Sequence, residues 1–136
     1  NEEQYTWLQS LIWPEETDRK ALLARAKAVH ETCEKQLFTG DFRELVPRIL
    51  EDPSLKQSQI VIFHTHVANQ FSRELKDDLL HLLNELSSAQ PIYHIYNNMF
   101  DAHLHVDYIE SGMTTEKKVL HNTDSHGRHF YWKTKD

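Results

Sequence analysis

The chain has 136 residues, a formal net charge of -6 and a charged fraction of 26%. A chain of this length holds a single core and is short for a complete doubly wound enzyme. Its acidic balance, without any basic tract, argues against a nucleic-acid partner. Neither a signal-peptide pattern nor an apolar run of about 18 residues is present, which predicts a cytoplasmic protein without membrane contact. The one cysteine, Cys33, forms no internal disulfide, as expected in a reducing compartment.

Two helices are predicted at the start of the chain. Residues 1–13 are too rich in apolar and aromatic side chains for a free tail, and we expect them to dock as a short helix that Pro14 ends. Apolar residues then recur at steps of three and four over 17–35, which predicts a second, longer helix. Its N-cap is predicted to be Thr17 or Asp18.

The next segment combines a strand-like run with helix signals. Residues 36–39 are expected to form a short strand, after which Gly40 turns the chain. Asp41 and Glu44 form a capping-box pattern that predicts a third helix. Pro47 is predicted to kink this helix or to split it in two.

A single β-α-β unit dominates the middle of the sequence. Residues 60–63 form a continuous apolar run rich in β-branched side chains, which is typical of a central strand buried on both faces. Ser72 is placed to cap an amphipathic helix that ends near 87–90, before Pro91. The run 92–96 then predicts a second strand, parallel to the first because the crossover has the length of one helix.

The last third predicts an antiparallel meander. Residues 102–109 alternate between polar and apolar side chains, as in a half-exposed strand, and 111–112 form a turn signal. Further strands are predicted at 117–121 and 128–133. The predicted fold is therefore one α/β domain over the whole chain, with a partly parallel sheet, flanking helices and a C-terminal antiparallel meander.

Polar residues follow both predicted parallel strands. His64, Thr65 and His66 come at the end of the first strand, and Asn97 and Asn98 come after the second. Ligands of parallel α/β sheets bind at the carboxyl ends of the strands, so these five residues form the candidate pocket. A histidine at a strand end also has a structural alternative, in which it is hydrogen-bonded to neighbouring backbone.

Ten histidines are the unusual feature of the composition. Two His-x-His segments, 64–66 and 103–105, could each present two rings on one strand face, and Asp101 or Asp107 could add a carboxylate ligand. A His-rich metal-binding protein is therefore one alternative function. The two segments belong to different predicted strands, and nothing in the sequence brings them together, so we predict no tightly held metal.

The chain resembles the C-terminal half of an uncharacterised bacterial family, domain-of-unknown-function family 2332. The resemblance rests on the order and spacing of Trp13-Pro14-Glu15, Arg19, Leu23, Ala26, His64 at the end of the apolar run, His126-Gly127 and Trp132. The family usually has Asp, Ser and Trp where this chain has Glu15, Thr65 and His129.

The resemblance implies a methyltransferase-like, Rossmann-like α/β fold that binds a nucleotide or S-adenosylmethionine. The run 36–39 would be the third strand of that fold, and Asp41 in the turn after it would bind a cofactor ribose or, equally, cap its own helix. His126 would contribute to the pocket or hold a turn. The first two strands and the Gly-rich loop are not found in the sequence, so the chain is expected to be the C-terminal part of a longer protein. S-adenosylmethionine would then bind only together with the missing N-terminal half.

The competing hypothesis is a non-catalytic binding or assembly module, and the sequence does not decide whether the protein is an enzyme. The predicted sheet lacks neighbours for its strands, and exposed strand edges rarely stay unpaired. We therefore expect either a homodimer that buries Tyr5, Trp7 or Trp13, or pairing with a missing N-terminal segment.

Overall fold

The computed structural model describes residues 1–121, 129 and 131. The chain divides into two units, Asn1–Phe38 and Thr39–Asp136. None of the helices in the described residues combines the length and apolar character that crossing a bilayer requires.

The first unit consists of two helices, as predicted. Helix α1 is Glu2–Ser10, and helix α2 is Thr17–Thr32. The predicted cap of α2 is wrong, because Thr17 is already the first helical residue. The N-cap is therefore Glu16, whose side chain makes no capping hydrogen bond. The helix also ends three residues before the predicted boundary, where Cys33 turns to an extended backbone. Neither helix buries a residue, and the two tryptophans of this unit, Trp7 and Trp13, are exposed.

The predicted strand at 36–39 is not formed. A strand needs a neighbouring chain for its ladder, and none of the described strands pairs with this run. Helix α3, Phe42–Leu50, follows as predicted, with Asp41 as its N-cap. Of the two predicted effects of Pro47, the split into two pieces is wrong, because one helix runs through the proline, and the kink stays a prediction. The Glu51 N–H donates to the Pro47 carbonyl at 3.1 Å, so hydrogen bonding continues after the proline.

The second unit is a mixed α/β domain, with one long helix packed on a four-stranded sheet in the described residues. The elements are helix α4 at Arg73–Leu86 and strands β1 at Ile60–Thr65, β2 at Ile92–Asn97, β3 at Leu104–Glu110 and β4 at Met113–Leu120. The sheet order is β1-β2-β3-β4. Strands β1 and β2 are parallel, with Ile60 opposite Ile92, and the other two pairs are antiparallel. The predicted parallel pair and the first two strands of the meander are confirmed, and the strand predicted at 128–133 lies outside the described residues.

Helix α4 covers one face of the sheet. Ser72 caps it by accepting a hydrogen bond from the Leu75 N–H at 3.2 Å, as the sequence predicts. Leu79 and Leu83 point from this helix into the core. The buried core comprises Ala68, Leu79, Leu83, Tyr96, Met99 and Ile109.

Within the part of the chain that the structure describes, strand β1 does not occupy the central place that the sequence predicts. Among the described residues, it stands at the end of the sheet order and pairs with β2 alone. Ile60 is buried and Ile62 half-buried, whereas Val61 and Phe63 are 49% and 64% exposed. An apolar run shows that both faces suit burial, but burial also requires a layer on each side.

The β3–β4 hairpin closes through the two-residue turn predicted at 111–112. Both turn residues have a positive φ, 53° at Ser111 and 74° at Gly112, as in the type I′ turn that matches strand twist. The hairpin is tied to the end of α4, because the Gly112 N–H donates to Ser87 Oγ at 2.9 Å. The predicted site lies at the opposite end of the strands, where β1 and β2 have their carboxyl ends.

Candidate functional site

The carboxyl ends of β1 and β2 bring together the residues of the predicted pocket. The parallel register places Thr65 opposite Asn97. Each strand is then ended by a residue in the left-handed region, His66 with φ 53° and Asn98 with φ 57°. Asn98 Nδ2 lies 3.4 Å from His66 Nε2, so the two strand ends are in contact through side chains. Histidine and asparagine are among the non-glycine residues that tolerate this backbone conformation, and its occurrence at both ends marks the edge as locally strained.

A polar cluster occupies the helix-facing side of the sheet at the same edge. Its members come from three strands: His64 from β1, His94 and Tyr96 from β2, and His105 and Asp107 from β3. They share this face because the register pairs His64 with Tyr96, Tyr96 with His105 and His94 with Asp107. We call these five residues the inner polar cluster.

Tyr96 is the centre of the inner polar cluster. Its ring stacks on the rings of His94, His105 and His64, with centroid distances of 4.4, 4.7 and 5.9 Å. Its hydroxyl is hydrogen-bonded to the carboxyl of Asp107. His64 Nε2 and His94 Nε2 lie 2.9 Å apart, which is hydrogen-bonding distance. Each ring therefore has its orientation set by at least one neighbour.

Burial governs protonation in this cluster. Desolvation is the main cause that lowers the pKa of His94 to about 3, and the neighbouring His64 and His105 lower it further. Desolvation also lowers the pKa of His64. The same effect raises the pKa of Asp107, although the hydrogen bond from Tyr96 opposes it. His64 and His94 are thus neutral imidazoles near neutral pH.

The outer side of the cluster carries carboxylates. His105 Nε2 lies 2.9 Å from Asp101 Oδ1, and His105 Nδ1 lies 4.0 Å from Glu116 Oε2. Burial tends to raise the pKa of Asp101, but hydrogen bonds from the His103 backbone N–H and from His105 outweigh it, so the pKa is lowered. Burial is also the largest cause that raises the pKa of Tyr96, and Asp107, Asp101 and Glu116 add to it. The electrostatic potential at Tyr96 is therefore negative.

The alternation of β3 is as predicted, but the side that faces the helix is the polar one. Asp107 is buried and His105 is nearly so, whereas a half-exposed strand would place its polar side in water. These groups are accommodated inside because each one has a polar partner in the cluster.

The predicted His-x-His geometry is wrong for both segments. Strand β1 ends at Thr65, so His66 does not continue the face of His64, and His103 precedes the start of β3. One member of each pair, His64 and His105, instead stacks on Tyr96. Among residues 1–121, 129 and 131, no group of three or more His, Cys, Asp or Glu side chains is placed to hold a metal ion.

Of the two remaining predicted site residues, the structure describes Asp41, which lies at the start of α3. Asp41 accepts a hydrogen bond from the Arg43 N–H at 2.9 Å and pairs with the Arg43 guanidinium at 2.6 Å. The hydrogen bond from the Arg43 side chain is the main cause that lowers the pKa of Asp41. These contacts account for Asp41 as a helix cap, and its role with a ribose stays a prediction. His126 lies outside the described residues.

His94 and Tyr96 were not predicted as site residues, and Asp107 was predicted only as a possible metal ligand. A signal was present in the sequence, because polar residues occur at i and i+2 near the same end of three consecutive strands: His64 and His66, His94 and Tyr96, His105 and Asp107. Once the strands are paired in register, five of these six positions converge on one face, and His66 is the exception because it lies beyond the end of β1.

The fold and site define an α/β domain with one parallel strand pair and a polar carboxyl edge. Residues 1–132 match the model of a family described as an uncharacterized protein conserved in bacteria, DUF2332, and the chain belongs to that family. No curated protein and no solved structure matches the chain.

Proposed function

We propose that this domain binds a small polar ligand of the nucleotide class at the carboxyl edge of β1 and β2. Two neighbouring parallel strands ending in left-handed, non-glycine residues carry the proposal: His66 and Asn98 are in contact there, 3.4 Å apart. Strained residues of this kind cluster at ligand sites, because surrounding interactions must hold them. The site also has the position that ligands take in parallel α/β sheets.

The proposed ligand is a nucleoside or nucleotide rather than complete S-adenosylmethionine. A methyltransferase-like site holds that cofactor through a Gly-rich loop, whose backbone N–H groups approach the ligand closely. The sequence has only three glycines, Gly40, Gly112 and Gly127, and no G-x-G pattern. We therefore expect this chain alone to bind S-adenosylmethionine no more tightly than it binds adenosine.

Titration of the ¹⁵N-labelled chain with adenosine 5′-monophosphate tests the proposal. We expect the backbone amides of 64–66 and 97–98 to shift together and to saturate. Asn98→Gly keeps a residue suited to positive φ but removes the amide side chain, and it should weaken binding about fivefold to tenfold. Ser111→Gly is the matched control, because Ser111 also has a positive φ but lies at the opposite edge of the sheet. Amide shifts that spare the edge, or binding that Asn98→Gly leaves unchanged, would exclude this site.

A second candidate function is an assembly module, for which the edge of β1 is the specific support. Within the described residues, the outer side of β1 has no partner strand. The strand IVIFHT contains no lysine, proline or acidic residue, and these are the residues that usually prevent an exposed edge strand from pairing with another chain. Val61 and Phe63 also expose apolar side chains on the face away from α4.

If the domain is an assembly module, we propose that β1 of a second copy of the chain pairs antiparallel with β1 of the first. Sedimentation velocity on the wild type should then show a dimer, and Phe63→Lys should dissociate it. Thr115→Lys, on the exposed part of β4, is the control and should leave the dimer intact. Trp7→Ala tests whether the exposed aromatic residues of α1 contribute as well. A wild-type monomer at about 100 µM would refute self-association as the function.

A further inference from the structure

The His64–His94 contact constrains where the imidazole protons are. A neutral imidazole carries one N–H, so one ring donates across the 2.9 Å Nε2–Nε2 contact and the other accepts. The ring that accepts at Nε2 must carry its own proton on Nδ1. In the described part of the chain, Nδ1 of both histidines is buried without a hydrogen-bond partner. One Nδ1 is therefore an unpaired donor, and the other is an unpaired lone pair.

The two possible tautomer pairs differ in cost. His94 is 0% exposed, whereas His64 is half-buried at the penultimate position of β1. A buried N–H without an acceptor is rarer and more costly than an acceptor with an unused lone pair. The lone pair therefore belongs on the deeper ring, His94, and the N–H belongs on His64, the less buried ring near the strand end.

We propose that His94 donates its Nε2–H to His64, and that the Nδ1–H of His64, which is buried and has no acceptor among the described residues of the free protein, becomes the hydrogen-bond donor to a ligand that opens the carboxyl edge as it binds. His94 is then a positioning residue, which selects the tautomer of His64 without touching the ligand. The inference deepens the proposed function and, in its ligand part, rests on it.

The surrounding charge indicates what kind of acceptor the donor meets. His64 stacks beside Tyr96, where Asp101, Asp107 and Glu116 produce a negative field. A neutral imidazole supplies no positive charge of its own, and a phosphate or carboxylate placed beside it would also approach the carboxylates around Tyr96. The acceptor is therefore an uncharged oxygen or ring nitrogen, such as those of a nucleobase or ribose, and any phosphate of the ligand lies away from His64.

Imidazole ¹⁵N spectra of the full chain test the tautomers directly. His64 should show a protonated Nδ1 and a bare Nε2, and His94 should show the reverse. His94→Gln retains an N–H donor and should preserve the His64 tautomer, whereas His94→Leu should abolish the preference. His81→Gln, exposed on α4, is the control for removing an imidazole. A protonated Nδ1 on His94 in the wild type would overturn the inference, even if His94→Leu fails to fold.

Three probes test the ligand part: adenosine, adenosine 5′-monophosphate and inorganic phosphate. The first two should shift His64 Nδ1 equally, and phosphate alone should leave it unchanged. His64→Phe keeps a ring beside Tyr96 and should weaken adenosine binding about tenfold. If adenosine shifts the edge amides but not His64 Nδ1, the donor role is wrong and the proposed site stands. If no probe shifts any edge amide, the proposed function fails together with the ligand part, and only the tautomer assignment remains supported.

Discussion

Replacing His94 should change the pH dependence of stability by a predictable amount. The ordinary pKa of histidine is 6.5, and burial lowers that of His94 to about 3. The unfolded chain therefore takes up a proton that the folded chain does not, so acidification favours unfolding. Between about pH 7.5 and about pH 5.5, one such group lowers the free energy of unfolding by about 1.4 kcal/mol. His64 acts in the same direction, because burial lowers its pKa as well.

Urea denaturation at several pH values measures this effect. The His94→Gln variant should lose about 1.4 kcal/mol less than the wild type across that pH window, whatever its stability at neutral pH. His81→Gln, in which an exposed imidazole is removed, is the control and should follow the wild type. The pH range stops at about 5.5 because Asp107 has the opposite effect on stability in stronger acid. Its raised pKa means that the folded chain takes up this proton more readily than the unfolded chain, so acidification then favours folding. Parallel curves for the wild type and His94→Gln, within about 0.3 kcal/mol, would refute the claim that His94 is buried and neutral.

Three other substitutions test the packing and the turn. Leu83→Ala removes a side chain that is 0% exposed and should cost about 2 to 5 kcal/mol in urea denaturation; a loss below about 1 kcal/mol would contradict its place in the core. Tyr96→Phe leaves the buried Asp107 without its hydroxyl donor and should cost about 1 to 3 kcal/mol, which an unchanged midpoint would disprove. Gly112→Ala, at φ 74°, should lower the free energy of unfolding by about 1 to 2 kcal/mol in thermal denaturation. Ser111→Gly, at φ 53°, should not lower it, and equal losses in the two variants would argue against the type I′ turn.

Local patterns were sufficient for the helices and for the direction of the parallel pair. Helix α4 follows from leucines at helical spacing and from the Ser72 cap, both of which act within a few residues. The length of the crossover restricts how β1 and β2 can be joined, so their parallel pairing is confirmed. The run at 36–39 shows the limit, since the same strand-like composition forms no strand without a neighbour.

The candidate edge was predictable because its residues follow the strands directly. His64 and Asn98 are placed there by chain connectivity once the two strands are parallel. The inner polar cluster was not predictable in the same way. The sequence of β3 alone favours its apolar side facing inward, and only the pairing of His105 with Tyr96 shows that polar side chains face the helix.

Short-range patterns specify most of the helices and strands of the domain, because helical periodicity, caps and turn residues act over a few positions. Two features depend on tertiary packing instead: β1 has one covered face, and His94 is buried against His64. Both depend on contacts between residues 30 or more positions apart, as in the His64–His94 pair. Their energy comes from desolvation and cross-strand register, which exist only after the sheet has formed.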